Sequence, residues 1–335
     1  MAKIYTSEGW VNWQYILEQN ATFTQVVGAR GVGKTYGLMR HMVENNNKFI
    51  YLRRLKSQLD QCGKDEGNPF KRLNMDLVCD IHPFPAGGIV VFRHGDKTGE
   101  VQAVGVALSV VANVRGVDFS DIDYIIFDEF IASEGERPIK NEFYAFLNFY
   151  ETVNRNRELQ GRDPVRVFML GNANRLSNPY FTGWHFMKTA LKMIKGNQMV
   201  WRSKDNSRMA IMLLQSPISE KKTGTVLYQN ASSDFLSMAL DNAFRTDATQ
   251  VKSEPLKEYR HIVSIGEIGI YKHKSDRKYY VSSVISTPYY EAFGIGLKTF
   301  RNDYYLLSEF YLTNKIVWFE CYENEIIFRE YFKLS

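Results

Sequence analysis

One octapeptide constrains this chain more than any other feature. Gly28-Ala29-Arg30-Gly31-Val32-Gly33-Lys34-Thr35 matches G-x-x-x-x-G-K-[ST], the phosphate loop or Walker A pattern. Its glycines let the backbone turn N–H groups inward around phosphate oxygens, its lysine reaches the β- and γ-phosphates, and its hydroxyl coordinates Mg²⁺. A helix N-terminus behind the loop faces the same anion. By average residue usage, a chance match in a chain of 335 residues has odds of roughly one in a hundred. The flanks agree with the motif: residues 23–27 form an apolar, strand-like run, and a helical pattern follows from Tyr36 to about Glu44. The loop residues 28–35 are therefore the candidate nucleotide-binding set.

Tyr124-Ile125-Ile126-Phe127-Asp128-Glu129 supplies the second part, a Walker B pattern. Four apolar residues followed by an acid describe a buried strand that delivers Asp128 to the Mg²⁺ shell beside Thr35, with Glu129 as the general base that polarises water. The paired acids argue against small GTPases and nucleotide kinases. Asn172 ends the strand 165–170 and is the candidate sensor of the γ-phosphate; the alternative is a turn asparagine. A helix over 141–155 carries Phe143, Phe146, Leu147, Tyr150 and Val153 on one face and ends in Asn154-Arg155-Asn156-Arg157. An arginine that neutralises transition-state charge, often from a neighbouring subunit, suits phosphoryl transfer. Arg155 and Arg157 are both candidates, and an i,i+4 pair of Arg155 with Glu151 is the structural alternative. Arg53, Arg54, Lys56 and Arg115 are weaker candidates, equally readable as solvated loop charge. Tyr5, Trp10, Trp13 and Gln25 are unranked candidates for contacts to the base.

The length suggests two domains. Up to about residue 200, strand patterns at 23–27, 49–52, 89–93, 101–108, 124–127 and 165–170 alternate with helices, which implies a parallel sheet. Beyond it, short strands dominate: 209–214, a single run 260–271, 278–285 and 315–320, with a hairpin tip at 274–277 and a short helix at 235–244. The expected domains are 1–200, a linker 201–235, and 236–335. The net charge is only +5, yet residues 181–230 hold eight basic side chains against two acidic ones, which reads either as a solvated surface or as a polyanion footprint. Three widely spaced cysteines show no metal pattern, and no apolar run approaches the roughly 20 residues of a membrane span. A soluble, intracellular protein is expected.

The chain resembles the DNA-packaging ATPases of phi29-type bacteriophages. The resemblance is carried by residues 27–35, by Phe49-Ile50-Tyr51-Leu52-Arg53-Arg54, by Ile126-Phe127-Asp128-Glu129-Phe130-Ile131, by Asn154-Arg155-Asn156-Arg157-Glu158, and by Asn172-Ala173 with Asn178-Pro179-Tyr180-Phe181. The C-terminal third is similar only in length and β-rich texture, with Leu240-Asp241-Asn242 as an anchor. The resemblance implies an α/β fold: an ASCE-type P-loop ATPase domain, a linker, and a small β-rich α+β domain, RNase H-like and without nuclease activity, for nucleic-acid or portal docking. It implies ATP and Mg²⁺ as cofactors. It also implies a homo-oligomeric ring, a pentamer, that translocates double-stranded DNA into a procapsid and engages the portal (connector) and a packaging RNA. That motor would work in the host bacterial cytoplasm, transiently at the portal vertex, and be absent from the mature virion. Arg155 falls where the family places its arginine finger in trans; Lys56 and Arg115 fall on positions implicated at the neighbouring subunit's nucleotide. Two other classes stay open: an ATPase-linked two-metal nuclease, whose acids would come from Glu258, Glu267, Asp276 and Glu291 with only Glu267 in a clear strand, and a non-motor ATP switch that regulates assembly. Lys272, Lys274, Arg277 and Lys278 make the C-terminal hairpin basic, which suits a nucleic-acid contact.

Overall fold

The computed structural model describes residues 4–114, 117–133, 136, 137, 139–173, 178–214, 216–222, 226, 250, 252 and 254–334. Two compact units emerge, one from Met1–Asn174 with Gly196–Phe244, the other from Arg175–Lys195 with Arg245–Ser335. These boundaries differ from a division at 200 and 235. The expected helix at 235–244 and the anchor at 240–242 lie outside the described residues.

The first unit is built on nine strands: β1 (Phe23–Gly28), β2 (Phe49–Arg53), β3 (Ile81–Ala86), β4 (Ile89–His94), β5 (Val101–Ala107), β6 (Tyr124–Asp128), β7 (Arg166–Asn172), β8 (Val200–Arg202) and β9 (Arg208–Leu213). Their order is β3-β4-β5-β2-β6-β7-β1-β9-β8. The six from β5 to β9 are mutually parallel, while β3-β4, β4-β5 and β8-β9 pair antiparallel. Parallel strands bury both faces, which is why β1, β2, β6 and β7 read as continuous apolar runs instead of alternating ones. Fully buried Phe127, Phe168 and Ile126 each contribute roughly 1.5–3 kcal/mol by leaving water. The β3 strand went unforeseen because Pro83 and Pro85 interrupt it; as an edge strand it tolerates the lost donors.

Among the described residues this unit's helices include α1 (Trp13–Leu17), α2 (Lys34–Glu44), α3 (Lys56–Cys62), α4 (Lys71–Asp76) and α5 (Glu142–Asn154), with a further short helix at Pro217–Lys222. Leu38, Met39, Met42 and Val43 form the buried stripe of α2. On α5 the buried face runs through Phe143, Phe146, Phe149 and Val153; Leu147 and Tyr150, expected on it, are only half-buried. Tyr150 instead donates its hydroxyl to the Val165 carbonyl and packs its ring on Phe23.

The second unit contains α6 (Pro179–Gly183), α7 (Met187–Lys195) and five strands: β10 (Tyr259–Ile265), β11 (Ile268–His273), β12 (Tyr279–Ser282), β13 (Tyr289–Tyr290) and β14 (Val317–Phe319). Their order is β13-β10-β11-β12-β14, an antiparallel three-stranded meander with a parallel strand on each edge. The single run expected at 260–271 is two strands, because Gly266, at φ +51°, turns the chain at Gly266–Glu267. The hairpin tip at 274–277 lies between β11 and β12 as expected. Three helices that sequence texture hid complete the unit: α8 (Gly294–Asp303), α9 (Leu306–Leu312) and α10 (Tyr322–Phe332). They are held by aromatic contacts, including Phe300–Phe332 at 5.1 Å and Phe319–Phe328 at 5.4 Å between ring centroids. The β-rich α+β texture expected for this part of the chain is present.

The sheet's closest approach is at the end of β1. There Gly28 pairs with Leu213 of β9, and a Cβ added to Gly28 would lie 2.4 Å from the Leu213 Cβ. Gly28→Ala is expected to lower stability by about 1–3 kcal/mol through overpacking; denaturant unfolding of the variant against the parent checks it.

Candidate nucleotide site

Three adjacent parallel strands, β6, β7 and β1, end at one cleft of about 300 Å³, lined among others by Arg30, Lys34, Thr35, Asp128, Glu129 and Asn172. The loop leaving β1 is anchored by the buried side chains of Ala29 and Val32, while Arg30 is exposed at the cleft. Gly31 and Gly33 take φ +68° and +88°, conformations that glycine adopts without steric cost. Gly33 is the N-cap of α2 and no side chain caps that end, so the helix turns its first N–H groups toward the loop.

Lys34 is 7% exposed, and its ammonium donates to the carbonyls of Gly28 (2.9 Å) and Ala29 (2.6 Å) and to Asn172 Oδ1 (3.1 Å). Asn172 reaches it because β7 runs beside β1 with Asn172 opposite Gly28. Thr35 Oγ1 donates to Asp128 Oδ1 at 2.7 Å, across from the end of β6. The loop lysine and threonine, the strand-end acids and the asparagine are thus brought together. The hydroxyl–carboxylate pair beside a ring of backbone N–H groups is a donor set that fits a divalent cation carried by a polyphosphate.

Two further residues come from β2. Tyr51 is buried and donates its hydroxyl to Asp128 Oδ2 at 2.8 Å. Burial, and then the Asp128 charge, push that phenol well above its ordinary pKa, so it stays a neutral donor. Arg53 bridges both acids, with Nη1 on Asp128 Oδ2 at 2.8 Å and Nη2 on Glu129 Oε2 at 2.5 Å. Glu129 itself takes φ +54°, a left-handed conformation rare outside glycine. Sequence reading gave Arg53 as a weaker candidate, with solvated loop charge as the alternative, and did not single out Tyr51. Their i,i+2 spacing on β2 puts them on one face, but only the pairing of β2 with β6 aims that face at Asp128.

The remaining candidates lie apart. Arg54 is not solvated: it is 1% exposed, with Nε on Glu142 at 2.7 Å and Nη2 on the same carboxylate at 2.9 Å, and it also pairs with Glu136. Lys56 pairs with Asp60 one turn along α3 and does not line the cleft. Arg115 lies outside the described residues. Arg155, at the C-cap of α5 with φ +41°, has its side chain half exposed, 3.6 Å from Asp118 and donating to the Val117 carbonyl at 3.3 Å. Its link to Glu151 is a backbone bond, not the side-chain pair considered above. Arg157 is 3% exposed, bonded to Asp123 at 2.7 Å and to the carbonyls of Ser120 and Ile122. It clamps the segment before β6.

In the second unit, Glu267 sits in the β10–β11 turn, not in a strand, and burial raises its carboxyl pKa. Among the described residues no group of three or more His, Cys, Asp and Glu side chains is placed to hold a metal ion. Lys278 of the hairpin is engaged with Glu254 at 2.9 Å. The basic window 181–230 is shared between the two units. Among the described residues no helix is long and apolar enough to cross a membrane.

The loop on β1 and the acids on β6, with β7 between them, define a P-loop nucleotide-binding protein of the class in which one strand separates the phosphate-loop strand from the acid-bearing one. Residues 7–308 match the family described as podovirus DNA encapsidation protein (Gp16), and the chain belongs to that family. It is 27% identical over 260 residues to the DNA packaging protein of Bacillus phage phi29, covering 76% of this chain and 71% of that one. It is 32% identical over 176 residues to the DNA packaging protein of Bacillus phage PZA, covering 51% and 48%. The solved structure of the Phi-28 gp11 DNA packaging motor shares the fold, with a TM-score of 0.64 and 20% identity over 98% of this chain and 99% of that one.

The two arginines after α5 separate by stability. Arg157→Ala is expected to cost about 1–3 kcal/mol, because the buried Ile122 carbonyl loses its side-chain donor, whereas Arg155→Ala stays within about 0.5 kcal/mol of the parent; thermal and denaturant unfolding of the two variants tests this.

Proposed function

We propose that the chain is an ATP-hydrolysing subunit of a ring-shaped motor that drives double-stranded viral DNA into a procapsid. The observation that supports this most is the meeting of Lys34, Thr35, Asp128, Glu129 and Asn172 at one cleft, in a member of the podovirus encapsidation family. The substrate is the magnesium complex of ATP. Its phosphates seat on the N–H groups of residues 28–35, and Lys34 moves from the loop carbonyls onto the β- and γ-phosphates. Thr35 and Asp128 hold the divalent ion that arrives with the substrate, and the ion offsets phosphate charge. Glu129 takes a proton from the attacking water as the bond to the γ-phosphorus forms and ADP leaves. Arg53 must release Glu129 first, so the Arg53 bridge sets when the base is available. Asn172, now bonded to Lys34, reads the γ-phosphate.

Arg155, half exposed at the end of α5, suits a finger that enters the cleft of a neighbouring subunit. In this reading the subunits form a pentamer at the portal vertex in the host cytoplasm, with a packaging RNA as a further partner, and the second unit serves docking. Basic side chains grip the DNA backbone without reading its sequence.

Glu129→Gln is expected to bind ATP with near-parental affinity while turnover falls by roughly 10²–10⁴-fold; near-normal turnover removes Glu129 as the base. Lys34→Ala is expected to weaken ATP binding at least tenfold, and unchanged affinity removes its assigned role. Mixing Arg155→Ala with Lys34→Ala subunits recovers part of the activity if the finger acts in trans, and recovery at no ratio excludes it. The whole reading is tested by ATP turnover with and without procapsids and long duplex DNA. Stimulation by both is expected. ATP binding with no stimulation points to a switch, and Mn²⁺-dependent plasmid cleavage points to a nuclease.

A further inference from the structure

We propose that Trp10 is the platform on which the base of a purine nucleoside triphosphate stacks. The inference rests on the reading of the cleft as a nucleotide site. Burial separates the four candidates for contacts to the base, Tyr5, Trp10, Trp13 and Gln25. Tyr5 is 6% exposed and spends its hydroxyl on the Leu214 carbonyl at 3.2 Å. Trp13 is 4% exposed beneath the first turn of α2, its indole N–H on the Gly33 carbonyl at 3.2 Å. Gln25 is 5% exposed within β1. Trp10 keeps 43% of its surface in water.

Its backbone is nevertheless tied down. Trp10 N–H donates to Thr6 Oγ1 at 3.2 Å, its carbonyl accepts from Thr6 N–H at 2.7 Å, and the next residue, Val11, donates to the Val32 carbonyl at 3.2 Å. The indole lies against Gly33: a Cβ built on that glycine would sit 3.3 Å from Trp10 Cε3. The only residue between Gly33 and the Mg²⁺-liganding position Thr35 is Lys34, so a partly exposed aromatic ring lies against the loop that would hold the phosphates, just outside the residues that line the cleft. In this proposal a base joined to those phosphates through a ribose extends past the cleft onto that ring. Tyr36 does line the cleft, but its hydroxyl is bonded to Asp76 at 2.6 Å, which commits its ring to α4. Stacking uses the face of a base and not its hydrogen-bonding edge, so it favours large bases and discriminates weakly between adenine and guanine.

The test titrates the full chain and its Trp10→Phe and Trp10→Ala variants with ATP, GTP and inorganic tripolyphosphate, in Mg²⁺, by calorimetry. Trp10→Ala is expected to lose about tenfold in affinity for ATP and GTP alike, to keep its affinity for tripolyphosphate, and to be largely rescued in Trp10→Phe. Unchanged ATP affinity in Trp10→Ala overturns the proposal and leaves the phosphate site standing. A parallel loss of ATP and tripolyphosphate overturns it too, because Trp10 then only props Gly33. If the parent chain binds neither ligand, the reading of the cleft falls and the proposal with it.

Discussion

The carboxylate of Asp128 is the joint on which the site turns. It is 7% exposed at the buried end of β6, and a carboxylate so placed costs several kcal/mol unless its oxygens are bonded. Three donors from two other elements meet that need: Thr35 from α2, and Tyr51 and Arg53 from β2. The sheet order follows from this chemistry as much as from packing, since β2 and β1 must flank β6 and β7 for those donors to arrive. Arg53 then extends the network to Glu129, whose left-handed backbone stores strain of roughly 1–3 kcal/mol. The strand resumes its ties just beyond, where Phe130 N–H bonds the Leu170 carbonyl at 3.1 Å.

What was legible in the sequence was local. The phosphate loop, the apolar run that ends in Asp128-Glu129, and the strand that ends in Asn172 each declare themselves within about ten residues. Tyr51 and Arg53 did not, because their role depends on which strand lies beside β2, and pairing between distant strands leaves no mark on either segment alone. The β3 strand hid behind its prolines. The helices α8, α9 and α10 hid within segments whose many Tyr and Phe residues suit strands and helices alike. Strand β9 was visible, but its partner was not: nothing in residues 208–213 announces that they lie along β1.

Charge was the least readable property. Arg54, readable as solvated loop charge, and Arg157, a candidate finger, are among the best buried side chains, at 1% and 3% exposed. A planar guanidinium has five donors to place inside a protein, and here Arg54 spends its fork on Glu142 while Arg157 spends its own on Asp123 and two carbonyls. Arg155, two positions away from Arg157, keeps its side chain half in water. Spacing along the chain treats the two alike; the left-handed turn at residues 155 and 156 sends them to different environments.

The chain passes between its two units at residues 174, 195 and 244, so each unit is assembled from two separate stretches. Of the two strands that pair along the whole length of β1, β9 is translated only after the excursion into the other unit. A gene crossover between codons 195 and 208 would pair the phosphate-loop strand of one parent with a β9 from the other, so the β1–β9 seam becomes the place where the two parents' side chains must fit. Loss of β9 altogether would leave β1 as a raw sheet edge, open to pairing with a foreign strand.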